Sequence, residues 1–323
     1  MELDLPPEPK TLVEAIRHFA DPDVSLHTMV KLRWPDGVRC PACGHANPLF
    51  LRRQSRWECR IRHAKRQFSA KTGTVFEDSP LPLEKWFTAI WLISNCKNGV
   101  SSYELHRAIG VTQKSAWFML HRIRLAMETG TIEKSDGTAE ADETLIGRLA
   151  KNMHKHKREE KIKGTGASGK AIVMGILSRG SGTNKSRVVK AKRITDTTRE
   201  TLHTEIKAAV ETASTIYTDS HGGHGGLASE YVHEVVNHAE EYMRGKVHTN
   251  DMENFWSRLK RAIKGTYVSV MPPHLDRYID EQSFRFDGRD KDDGSLFQIV
   301  LKSVTGRRLT YCEPTGHDTA EAT

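Results

Sequence analysis

The sequence predicts a multidomain chain, in which a small cysteine-bearing ribbon and a helical unit precede an α/β unit built on a mixed sheet. Three observations predict it. Cys40-Pro-Ala-Cys43 is half of a metal knuckle. Three helix-period stretches, 82–97, 101–109 and 112–129, follow it. From about Thr138 the pattern changes, and β-branched runs alternate with helical ones.

Residues 1–36 read as a helical lead-in, because Leu12, Ala15, Ile16 and Phe19 fall at helical spacing. Residues 37–78 read as a zinc ribbon. The CxxC turn lets the Cys40 and Cys43 thiolates meet one ion, and Gly44 permits the tight backbone. The second half is Cys59-Arg-Ile-Arg-His63, so the best ligand set is Cys40, Cys43, Cys59 and His63, with His45 a competing fourth ligand. Arg60, Arg62, Lys65 and Arg66 interleave with Trp57 and Phe68, a surface suited to DNA. A structural ribbon with a solvated basic face is the plainer alternative.

Residues 79–132 fit a helix-turn-helix. Leu105, Ala108 and Ile109 face a core, Gly110 and Val111 turn the chain, and Ala116, Leu120 and Ile123 continue the apolar face. Gln113, Lys114, Trp117, His121 and Arg124 lie on other faces, where some are placed to reach bases or phosphates. The alternative is a helical bundle that packs without touching DNA.

Residues 133–288 read as strands at 171–177, 187–194, 215–218 and 231–236, with helices at 197–211, 251–263 and 274–286. That order is the layout of a ribonuclease-H-like mixed sheet with helices on its faces. Residues 289–323 are short of apolar periodicity and are expected to form a loosely ordered tail.

The formal charge is +8 over 323 residues, a balance that favours a polyanion such as nucleic acid. The segment 151–170 holds seven Lys/Arg against two acids, which fits nucleic-acid contact as well as a solvated face. No apolar run approaches the roughly 20 residues that cross a bilayer, and the N-terminus has no signal-peptide core. A cytoplasmic location is therefore expected. Five cysteines, an odd number, argue against a disulfide framework.

Three carboxylates carry the chemistry. Asp142 lies in a short strand-like run, Asp219 ends the β-branched run from Ser214, and Glu253 opens an amphipathic helix. Hard oxygen ligands of this kind bind Mg²⁺ or Mn²⁺, and two such ions about 3.5–4 Å apart clamp an in-line displacement at phosphorus. Lys260 is seven positions beyond Glu253, within about 20° of it around a helix, and suits a phosphate. Asn250-x-x-Glu253 also reads as a capping box, in which Glu253 merely satisfies a backbone amide. Asp251 reads as a helix N-terminal charge, and Glu143 as an exposed or supporting group. His221 and His224, in a glycine-rich run, fit a second metal site less simply than a flexible loop.

Cys40-Pro-Ala-Cys43, Ala141-Asp-Glu-Thr and Val247-His-Thr-Asn-Asp-Met-Glu-Asn-Phe-Trp-Ser-Arg-Leu-Lys-Arg resemble bacterial insertion-sequence DDE transposases of the zinc-ribbon, ISXO-like group. The likeness runs from about residue 25 to 290 and also takes in 68–77, 95–104 and 112–124. It implies a ribonuclease-H-like catalytic fold, a triad of Asp142, Asp219 and Glu253, and Lys260 as the helix lysine. His248 and Asn250 match family positions beside the site. His224 departs from the pattern, standing where an aromatic is common. The resemblance further implies Zn²⁺ and Mg²⁺ (or Mn²⁺), double-stranded DNA as element ends and target, and a homo-oligomer in the synaptic complex. A DNA-binding regulator with a degenerate transposase fold and a nuclease that cuts without joining are the other classes this pattern fits.

Overall fold

The computed structural model describes residues 7–128, 134–147, 170–179, 187–220, 222–236 and 248–316. The chain divides into two compact units, one of residues 1–128 with 290–323, the other of residues 129–289. Most of the basic segment 151–170, together with His221, lies outside the described residues.

The first unit opens with α1 (Leu12–Phe19) and α2 (Pro22–Arg33). Thr11 and Glu14 close a capping box on α1, and Asp21 caps α2 with Pro22 at its first position. A three-stranded antiparallel ribbon follows, of β1 (Leu49–Leu51), β2 (Arg56–Glu58) and β3 (Gln67–Phe68). Trp57 stacks on Phe68 behind it. Next come α3 (Leu83–Asn95), α4 (Ser102–Ile109) and α5 (Gln113–Met127). Between α4 and α5, Gly110 takes φ 62°, the left-handed conformation of a helix C-cap.

The expected loose tail is corrected here. Asp292 caps α9 (Asp293–Lys302), whose Leu296, Phe297, Val300 and Leu301 are buried. Phe297 lies 5.4 Å from Phe19 and 5.3 Å from Trp91, ring centre to ring centre. The apolar positions do repeat with helical period, but over only ten residues, and their aromatic partners are more than two hundred residues upstream.

In the second unit β4 (Thr138–Ile146) runs through the sheet centre. β5 (Ala171–Ser178) pairs antiparallel with it, and β6 (Val188–Ile194) antiparallel with β5. On the other side β7 (Thr215–Asp219) and β8 (Val232–Val236) add in parallel, giving the order β6-β5-β4-β7-β8. Alternation sorts the side chains onto two faces. Ala139, Ala141, Met174 and Ile176 pack on Leu202 and Ile206 of α6 (Arg199–Ala209). Val173, Leu177 and Val189 pack on α7 (Asn250–Gly265) and α8 (Leu275–Asp287) through Met252, Phe255, Trp256, Leu259 and Ile279. Gly175 sits opposite Asp142 in register. A Cβ there would meet Met252 Cε at 2.3 Å and Trp256 Cη2 at 2.8 Å, so only glycine lets α7 lie this close to the sheet.

Candidate metal centres and nucleic-acid contacts

In the ribbon, two short turns bring four ligand side chains together. The Cys40 amide donates to the His45 carbonyl, and the Gly44 amide, at φ 73°, donates to the Cys40 carbonyl. Cys40 Sγ lies 3.4 Å from His63 Nε2, and Cys43 Sγ lies 3.5 Å from Cys59 Sγ. The ligand atoms of Cys40, Cys43, Cys59 and His63 all fall within 4.8 Å of one another. Tetrahedral zinc with Zn–S of about 2.3 Å sets neighbouring ligands roughly 3.6–3.8 Å apart, so this donor set fits that ion. His45 is not one of the four. Burial pushes the Cys40 thiol up, but the amides of Cys43 and Ala42 and the neighbouring thiols bring it down to about 7.

Arg60, Arg62, Lys65 and Arg66 are exposed around this centre. Arg66 also pairs with Glu58 at 3.0 Å and donates to the Cys59 carbonyl. On α5 the expected DNA-facing set narrows. Lys114 is exposed and sits over the Tyr311 ring, Gln113 donates to Ser102 Oγ, and Trp117 packs against His121. His121 and Arg124, however, are each only 1% exposed, so as the helix stands neither offers a group to DNA. The reason is that α5 packs against α3, α4 and α9, which leaves it a single open edge.

The second centre is built on β4. Glu140 and Asp142, two residues apart, share the α7 face, and Glu143 points to the other. Asp142 is partly buried and accepts a 2.9 Å hydrogen bond at Oδ2 from Trp256 Nε1. Burial raises its pKa to about 6; Asp219 and Glu143 add to the rise, and Trp256 opposes it. The parallel register pairs Thr138 with Thr215 and Glu140 with Tyr217. Asp142 lies two residues beyond the last of these pairs on β4 and Asp219 two beyond it on β7, and the Asp219 charge is felt at Asp142. Burial lowers the pKa of Lys260, and Asp142 pulls it back up.

Glu253 is exposed on α7 and is not among the ligand atoms that cluster. The capping-box alternative for it does not hold. Thr249 is the N-cap, with no side-chain cap hydrogen bond, and the Glu253 amide donates to the Thr249 carbonyl. Asp251 is ion-paired to Arg187.

Glu140 supplies the cap from another element. It is fully buried, and its Oε2 accepts from the Met252 amide in the first turn of α7 at 3.0 Å. Its Oε1 pairs with Arg179 at 2.6 Å, and Arg179 donates to His248 Nδ1 and to the His248 carbonyl, both at 2.7 Å. Burial raises the Glu140 carboxyl and lowers the His248 imidazole. His248 is thus tied to β4 through Arg179, while Asn250 is the first residue of α7.

The glycine-rich run after Asp219 is not a free loop at His224, which is 1% exposed. His224 Nε2 lies 3.2 Å from Glu143 Oε1 and 3.7 Å from Asp219 Oδ1. The ligand atoms of Glu143, Asp219 and His224 all lie within 4.8 Å of one another. Of the two roles expected for Glu143, exposed or supporting, the first does not hold: its side chain is withdrawn beside His224. Burial works against a charged His224, but Glu143, Asp219 and Asp142 outweigh it and raise its pKa above the ordinary histidine value.

A ribbon of converging soft ligands and a mixed sheet with acids at its centre define a two-unit protein with two candidate metal centres. Residues 134–287 match the ISXO2-like transposase domain, and residues 23–61 match the transposase zinc-ribbon domain. Over 291 residues the chain is 25% identical to a protein of transposable element ISH50 from Halobacterium salinarum, a match covering 85% of this chain and 96% of the other. The chain is a transposase of an insertion-sequence family, its ISXO2-like transposase domain preceded by a transposase zinc ribbon. Among the described residues no helix is long and apolar enough to cross a membrane.

Proposed function

We propose that this chain binds the terminal repeats of its element, cuts the DNA ends and joins the freed 3′-OH to target DNA within a ribonuclease-H-like catalytic unit. One observation carries the reading: Asp142 and Asp219 lie on neighbouring parallel strands inside the matched transposase domain, close enough for the Asp219 charge to be felt at Asp142. The strand order, with β6-β5-β4 antiparallel and β4-β7-β8 parallel, supports the ribonuclease-H-like assignment.

Asp142, Asp219 and Glu253 would hold two Mg²⁺ or Mn²⁺. Such a pair, when bound, activates an attacking water or 3′-OH and offsets the charge that develops at phosphorus. The protein's own groups do the rest. Trp256 fixes the Asp142 carboxylate through Oδ2. The Asp219 side chain is 35% exposed, which keeps the centre open to DNA. Lys260, beside Asp142, positions a phosphate. Glu140 and Arg179 anchor His248 and the first turn of α7, and so set where Asn250 and Glu253 stand. Arg60, Arg62, Lys65 and Arg66 on the ribbon, with Gln113, Lys114 and Trp117 on α5, recognise element ends, while Cys40, Cys43, Cys59 and His63 hold Zn²⁺. Two ends must be held at once, so the working form is a dimer or larger, acting on the nucleoid.

The test is Mg²⁺-dependent joining of a pre-cut 3′-OH donor carrying the element end to target duplex. Asp142→Asn, Asp219→Asn and Glu253→Gln should each abolish joining while end binding persists, and Asp251→Asn should join normally. Cutting without joining by the wild type would instead make it a nuclease, and end binding with neither step a regulator.

A further inference from the structure

We propose that Glu143, Asp219 and His224 form a mixed nitrogen–oxygen site for a first-row transition dication such as Mn²⁺, on the side of Asp219 away from α7. The inference rests on the reading above only in taking Asp219 as a ligand. Three separate elements deliver the three side chains. Glu143 points from β4 to the face opposite Asp142, Asp219 ends β7, and His224 closes the short turn Gly222–His224.

The spacing suits one ion. Donor atoms about 2.1 Å from a cation lie roughly 3.0–3.4 Å apart along an octahedral or tetrahedral edge, and about 4.2 Å apart when opposite. The two nitrogen–oxygen separations here are 3.2 and 3.7 Å, and no ligand pair exceeds 4.8 Å. The side chains are also withdrawn from water, with His224 1% and Glu143 10% exposed.

Charge points the same way. Asp142, Glu143 and Asp219 repel one another across this space, and one imidazole faces all three. The imidazole also sets the class of ion. Carboxylates and water suit Mg²⁺, while a nitrogen donor moves preference toward first-row transition metals. His224 therefore gives this chain a site that discriminates Mn²⁺ from Mg²⁺.

The experiment uses the full zinc-loaded chain, so that His63 is already occupied, with one equivalent of Mn²⁺. Pulsed electron paramagnetic resonance should detect an imidazole ¹⁴N coupled to Mn²⁺ in the wild type, and a large excess of Mg²⁺ should not remove it. His224→Ala should abolish that coupling and weaken Mn²⁺ binding about tenfold or more, and Glu143→Gln should weaken binding similarly. Absence of nitrogen coupling in the wild type overturns the proposal whether or not the variants fold, and coupling that persists in His224→Ala does so too. Because the readout is spectroscopic, wild-type joining without nitrogen coupling sinks only this site. Nitrogen coupling without joining sinks only the transposition reading.

Discussion

The ribbon and the acidic centre both gather metal-ligating side chains, but they are built on opposite plans. In the ribbon, turns and strands of two or three residues carry the ligands, and Cys40 and Cys59 are themselves among the most buried residues there. Little except an ion would hold Cys40, Cys43, Cys59 and His63 together. The acidic centre instead rests on a five-stranded sheet with an apolar core on each face. That frame stands by its own packing and holds Asp142 out of water near two other carboxylates, and the raised pKa of Asp142 reflects its burial first and those neighbours second. An ion in the first centre supports the fold, and an ion in the second relieves a strain that the fold has already imposed.

The largest effect should therefore come from the ribbon. Cys40→Ser should lose the roughly one zinc per chain and melt the ribbon, since structural zinc is worth on the order of 10 kcal/mol of apparent binding energy. Metal analysis and far-ultraviolet circular dichroism check this, with Cys312→Ser, outside the cluster, keeping its zinc. Retention of full zinc in Cys40→Ser would erase the contrast between the two centres.

Arg179→Leu comes next. It leaves the fully buried Glu140 without its cation, a change that typically costs about 3–5 kcal/mol. Urea unfolding should show that loss, and joining should fall as α7 loses its anchor. A smaller loss, about 1–3 kcal/mol, is expected for Gly175→Ala, which drives a methyl group into Met252 and Trp256. Trp256 fluorescence should report its displacement from Asp142. An unchanged spectrum would mean that α7 is not seated by this glycine.

Much of both centres was legible in the sequence, for reasons that also explain the gaps. Cys40, Cys43, Cys59 and His63 are close in sequence, so spacing alone exposes them. Asp142 and Asp219 stand out because each lies on a recognisable strand. Glu140 does not, because its partners Arg179 and Met252 are 39 and 112 residues away and nothing local marks the pairing. Glu143 reads locally as no more than the neighbour of Asp142, although strand alternation assigns it the opposite face. Glycines surround His224 and give the run the local signature of a loop, and only the fold shows that the turn is driven inward. For His121 and Arg124, one buried face is all that the apolar periodicity of α5 implies, whereas the helix is enclosed on nearly all sides.

The stability effect at Asp142 has the opposite sign, and that sign separates the two centres. The fold raises this carboxyl from 3.8 to about 6. The folded state thus binds the proton more tightly than the unfolded chain, so the wild type loses stability as pH rises from about 4 to 6, and little more above that. Asp142→Asn escapes this loss. Without divalent cations it should come close to the wild type at pH 4 and exceed it by about 3 kcal/mol at pH 8.

The most direct test of the account is joining of a pre-cut element end by Asp142→Asn at pH 8 in Mg²⁺, on protein whose unfolding midpoint has first been measured without divalent cations. Replacing a carboxylate whose burial is offset only by a bound metal gives a midpoint at or above wild type together with no detectable joining. Joining at the wild-type rate, or a midpoint that falls as it does in Cys40→Ser, would contradict it.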